Sequence, residues 1–224
     1  MLDRMTGPVL YIAEVDYPPE QLARDGGFTA WYANRHAPDL IRAGFRTATS
    51  YRAAIGGLAA LNVYEVPDTS VFARPIYKGA LPGDPYAAEV RGTSAGRQRA
   101  QTAYLERVAL PADAGPMNAD WVSLARFAFS EAEDEVLVAW LRDELHPRLA
   151  PLGAQRVRLG TRPIEKIGAG THRPRCIVFA EWTVQPPTAA DLLPLLSGRF
   201  GAAVSDADAF VGWRAYPWPD AKRT

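Results

Sequence analysis

The chain has 224 residues, long for one compact domain and comfortable for two small ones, and either arrangement can bury a core without disulfides or a metal. Lys plus Arg and Asp plus Glu number 25 each, so no overall field draws it to nucleic acid or to an anionic membrane, and neither is expected as a partner. The single cysteine, Cys176, excludes a disulfide framework and a cysteine-built zinc site.

That thrift suits a reducing cytoplasm. The apolar run near the start is too short for a signal peptide, and no run of about 18 apolar residues offers a membrane span. A cytoplasmic protein is expected.

In chain order, Pro8–Asp16 (PVLYIAEVD) reads as a strand, ended by Pro18 and Pro19. Phe28–Phe45 (FTAWYANRHAPDLIRAGF) follows as a helix, with Asp25 as its candidate cap. Phe28, Trp31, Tyr32 and Arg35 recur at i, i+3, i+4 and i+7, which puts the aromatics on one face. Pro38 has no N–H for the carbonyl of Asn34, which predicts a kink or a local tightening. Gly44 reads as a C-cap glycine.

Thr47–Ala54 and Ala59–Val66 read as strands joined by a hairpin turn at Gly56–Gly57. Asp68–Tyr77 reads as a short helix or helical loop, Leu81–Ser94 as a mobile excursion or lid, and Gln98–Leu110 as a strand in preference to a short helix. Pro111–Pro116 (PADAGP) is a linker, so the expected division is a unit at 1–110, a linker at 111–119 and a unit at 120–224.

After it the pattern restarts. Asp120–Phe129 alternates like a half-buried strand, and Ser130 with Glu133 forms a capping box for a helix. Val136, Leu137, Trp140, Leu141 and Leu145 share one side of that helix. Ala154–Leu159 is a strand, Gly160–Arg173 a turn-rich connection, Arg175–Thr183 a strand, Thr188–Ser197 a helix and Phe210–Tyr216 a closing strand.

Both halves thus read strand, helix, strand, strand, helix, strand. Trp31, Pro38, Leu40 and Gly44 stand at offsets 0, 7, 9 and 13, and Trp140, Pro147, Leu149 and Gly153 stand at the same offsets. A βαββαβ unit covers one face of a four-stranded antiparallel sheet with helices and leaves the other face bare. Two such units in one chain can cover each other, sheet against sheet. The expected fold is therefore α+β, two tandem ferredoxin-like βαββαβ units closed into an intramolecular barrel.

Trp31, His36 and Pro38 after a first strand, with the YEV-type third strand at Tyr64–Val66, resemble the dimeric α/β-barrel superfamily and its EthD-like members in particular. The resemblance covers nearly the whole chain, as a tandem fusion of two units. It implies a cavity between helix and sheet that the helix histidine faces. Relatives of this kind include cofactor-free monooxygenases, isomerases, polyketide cyclases and haem enzymes.

His36 is the leading candidate for chemistry, because an imidazole exchanges protons near neutral pH; the alternative is a histidine satisfied locally beside Pro38. His146 is its nearest counterpart, yet it stands at +6 from its tryptophan where His36 stands at +5, about 100° of helix rotation away. Leu145 occupies the matching position, so one working pocket is expected, with His146 as a lesser binding candidate.

Arg35 and Asn34 are candidates for holding a carbonyl or an anion, against a plain solvated-face role. Trp31, Tyr32, Tyr51 and Tyr64 are candidates for an aromatic wall, with Tyr64 as a phenolic donor, against a core role. Glu65 and Glu181 read as outward-facing carboxylates; turned inward, Glu65 becomes a binding or base candidate. The three histidines have no metal-ligand spacing, and no nucleotide-binding or serine-hydrolase motif is present.

The leading expectation is a cofactor-independent enzyme acting on a small aromatic or polyketide-like carbonyl compound by proton transfer at His36. The alternatives are a non-catalytic binding or stress-response protein, and a haem protein ligated by His146 or His172. A homodimer of fused barrels would use an outer edge or the Leu81–Ser94 excursion.

Overall fold

A computed structural model describes residues 7–55, 58–80, 97–129, 134–162 and 173–218. The expected turn at Gly56–Gly57, the Leu81–Ser94 excursion, the Ser130/Glu133 capping box and His172 lie outside the described residues.

Eight strands form one closed antiparallel barrel: β1 (Val9–Asp16), β2 (Thr47–Ile55), β3 (Ala60–Val66), β4 (Arg97–Leu110), β5 (Trp121–Ala128), β6 (Ala154–Thr161), β7 (Cys176–Trp182) and β8 (Ser205–Tyr216). Around the barrel they run β4-β1-β3-β2-β8-β5-β7-β6 and return to β4. Each half of the chain therefore contributes the same order, fourth-first-third-second. The halves are hydrogen-bonded to each other along two seams, β2 with β8 and β4 with β6.

Alternation along each strand sorts side chains to the two faces. Leu10, Ile12, Leu61, Val63, Val122, Leu124, Ile177, Phe179 and Phe210 point inward and fill the barrel with an apolar core. Charged layers cap that core. At one end Arg156 and Arg158 each reach Glu181 at 2.8 Å, and Arg158 also pairs with Glu65 and Glu106. At the other end Glu14 pairs with Arg126 and Arg173, and Arg126 meets Asp208 at 2.7 Å. Glu65 and Glu181 thus face inward, contrary to the outward expectation, and their charges are met there by the guanidiniums of Arg156 and Arg158.

The outer face of each half-sheet carries helices. In the first half these are α1 (Pro19–Leu22), α2 (Gly27–Trp31), α3 (Ala37–Ala43) and α4 (Pro75–Ala80); in the second, α5 (Asp134–Trp140), α6 (His146–Leu149) and α7 (Leu192–Phe200). Asp25 does not cap α2. The side chain of Gln21 accepts from Phe28 N at 3.1 Å instead. Gly26 is required there, because a Cβ would lie 2.2 Å from the carbonyl oxygen of Glu20.

Pro38 does not tighten the helix. The turn before it widens into a π-turn over Tyr32–His36, where the N–H of Ala37 reaches back five residues to Tyr32. The wider turn takes up the gap left by the missing proline N–H. The second half repeats the device over Leu141–Leu145, ahead of Pro147, with His146 N–H bonded to Leu141. Both helices then stop at a left-handed glycine, Gly44 at φ 107° and Gly153 at φ 102°.

Candidate active site

The π-turn ends on His36 in the first half and on Leu145 in the second. Leu145 is sealed in the apolar core under its helix. His36 is half-buried and stacks on Trp31, with ring centroids 4.5 Å apart. Tyr32 lies 5.7 Å from it and Tyr64 6.4 Å, both fully buried beneath the helix. Of the residues singled out in the sequence, the fold gathers these four.

It separates the others. Asn34 and Arg35 occupy the exposed side of the π-turn. Tyr51 points into the barrel and donates to the carbonyl of Ala119 at 3.1 Å. Glu65 also points inward, accepting from Met117 N at 2.7 Å. Strand alternation is the reason: Tyr64 and Glu65 are neighbours in sequence and so face opposite sides of the sheet. His146 lies on the helix of the other half.

Beneath the helix, the first half-sheet carries a polar chain that sequence reading missed. Arg52 donates to Ser50 Oγ at 2.7 Å and to Thr29 Oγ1 at 2.8 Å, and Ser50 donates to Asn62 Oδ1 at 2.7 Å. Tyr64 follows on the same face of β3, two residues from Asn62, with its ring centroid 6.4 Å from that of Tyr32. The buried Tyr32 hydroxyl has no hydrogen-bond partner among the described residues.

Arg52 is 6% exposed and makes no ion pair among the described residues. Burial pulls its guanidinium down to about 10, still cationic at neutral pH. Burial pushes the phenols of Tyr32 and Tyr64 far above their ordinary range, while Arg52 pulls that of Tyr32 back in part. Both phenols are thus neutral, and behind them lies a positive charge that makes no ion pair among the described residues.

The barrel register aligns the halves residue by residue. Tyr32, Ser50, Arg52, Asn62 and Tyr64 match Leu141, Leu159, Thr161, Val178 and Ala180. The chain of donors exists in the first half alone. Its sequence signal was parity: Ser50 and Arg52 alternate with Tyr51, so they share the face that the preceding helix covers.

A haem would need an imidazole facing an open apolar slot. Under the second-half helix, Trp140, Leu141, Leu145 and Leu149 are all buried in contact with the sheet, and the groove between α5 and α7 is lined by no histidine. The described residues around His146 therefore do not fit a haem. Among the described residues, no three His, Cys, Asp or Glu side chains are grouped to hold a metal, and no helix is long and apolar enough to cross a membrane.

The sequence matches no protein-family model and no curated protein. Solved structures share the fold. A candidate monooxygenase from Lactobacillus acidophilus superposes with a TM-score of 0.56 at 13% identity, over 93% of this chain and 94% of its own. A chlorite dismutase variant from Candidatus Nitrospira defluvii gives 0.57 at 9% identity, over 94% and 92%. An anthrone oxidase-like protein gives 0.52 at 14%, over 93% and 91%. The chain shares with these proteins its fold, a closed antiparallel barrel with helices on the outside.

Proposed function

We propose that this chain is a small-molecule enzyme with one reacting site, in the first half, where His36 moves a proton on an aromatic or polyketide-like carbonyl compound. The carrying observation is the buried Arg52, without an ion pair among the described residues, and the hydrogen-bonded chain running from it through Ser50 to Asn62 beneath the Tyr32 and Tyr64 phenols, near a half-buried imidazole. Desolvation penalises a buried cation without a counter-ion; hydrogen bonds to Leu22 O, Ser50 and Thr29 hold Arg52 there, and its charge is left to act on a neighbouring anion.

In this reading His36 takes a proton from an acidic C–H or O–H of the substrate, and the electron pair moves onto the substrate oxygen. Tyr32, whose buried hydroxyl has no partner among the described residues, donates to that oxyanion, and the nearby Arg52 charge stabilises it further. Arg52 replaces the exposed Arg35 as the source of positive charge. Trp31 and the buried rings around it bind the flat part of the substrate and exclude water. The anion then isomerises, eliminates, cyclises or meets dioxygen; the monooxygenase and anthrone oxidase-like neighbours favour the last. The chemistry needs no resident cofactor.

The same reading takes the chain as a tandem fusion of two ferredoxin-like units, the second kept to close the barrel, working in the cytoplasm. A pocket that binds without turnover is the rival from another class.

The test is a thermal-shift screen of aromatic and polyketide-like carbonyl compounds against wild type and His36→Ala, with mass spectrometry of the compounds that bind. His36→Ala should keep the thermal shift and lose about 100-fold or more in turnover. Equal turnover by the variant removes His36 from the chemistry, and binding without conversion by either protein leaves a binding protein. A Soret band after haem supplementation would move the reading to a haem protein.

A further inference from the structure

A groove of about 450 Å³ lies on the flank of α3 away from His36, between that helix and the β2–β8 seam. Helix geometry sets the two apart: Pro38 and Ile41 line the groove, while His36 sits about 140–160° around the axis from them. Its walls are apolar, formed by Pro38, Ile41, Met117 and Tyr216. Ile41 is 46% exposed on the edge of this groove, where it can cover an apolar ligand.

The polar lining has one sign. Arg42, Arg46 and Arg214 contribute to it, and no Asp or Glu does. Arg42 is held by Asp39, and Arg214 spends its terminal nitrogens on Asn118 and Asp120. Arg214 is 3% exposed, and its Nε–H has no acceptor among the described residues. Arg46 is exposed and makes no ion pair among the described residues, so its charge is available at the rim.

We propose that this groove binds a small amphipathic monocarboxylate, its carboxylate on Arg46 and its apolar part along Ile41, Pro38 and Met117. The volume accommodates a medium-chain or single-ring acid and falls in the range of small-molecule sites. Charge complementarity selects an anion, and one cation in excess of its partners selects a single negative charge. This site does not depend on the chemistry assigned to His36.

Titration calorimetry with octanoate and with 1-octanol tests it, on wild type, Arg46→Glu, Ile41→Glu and His36→Ala. Octanoate should bind wild type at least about tenfold more tightly than 1-octanol. Arg46→Glu should weaken octanoate about tenfold and leave 1-octanol unchanged; Ile41→Glu should weaken both; His36→Ala should change neither. Arg46 and Ile41 are exposed, and a matching unfolding transition for each variant verifies that the fold is kept. No octanoate binding below about 10 mM overturns the proposal, as does binding that survives Arg46→Glu or is lost in His36→Ala.

Discussion

The hydroxyl of Tyr32 is buried without a hydrogen-bond partner among the described residues, and this separates two kinds of role for the residue. A buried, unsatisfied O–H contributes nothing to stability, so Tyr32→Phe should shift the unfolding free energy by less than about 1 kcal/mol in either direction. The same substitution removes the proposed oxyanion donor and should lower turnover about 100-fold. Chemical denaturation beside a turnover assay checks both. A loss of several kcal/mol with activity intact would make Tyr32 a packing residue. Trp31, His36, Tyr32 and Tyr64 were legible in the sequence, since helical spacing and strand patterning marked them. Arg52 was not, because a charged residue in a strand reads as solvated until the covering helix is in place.

At the scale of elements, the π-turn before Pro38 does what the helix cannot do with ideal geometry. It inserts one extra residue per turn and brings His36 over Trp31, five residues earlier in the chain. The proline was visible in the sequence; whether the helix would kink, tighten or widen depended on the sheet it packs against. The stop signals were clearer. Gly44 and Gly153 both sit in the left-handed region, where a Cβ is strained. Gly153→Ala meets no atom within 4 Å and should cost about 1 kcal/mol in thermal denaturation. Gly44→Ala also displaces the tip of Arg74, which donates to the carbonyl of Ala43 at 3.1 Å, and should cost more than Gly153→Ala. Equal losses would show that Arg74 moves aside freely.

For the whole molecule, the charged layer at one barrel end joins the halves. Arg158 from β6 binds Glu65 of β3, Glu106 of β4 and Glu181 of β7 at once. Arg158→Ala leaves these buried carboxylates short of a partner and should destabilise the protein by about 3–5 kcal/mol in urea unfolding, with a single transition retained. Two separated transitions would mean that each half folds alone. The sequence by itself determined the order of the strands and helices and the α+β class, because apolar periodicity, proline and glycine act over a few residues. Only the tertiary structure decided which strand face each residue takes, that Glu65 and Tyr51 belong to the barrel interior, and that Arg52 lies behind Tyr32. Those are questions of which surfaces meet, and a period of two leaves both faces open until a partner covers one.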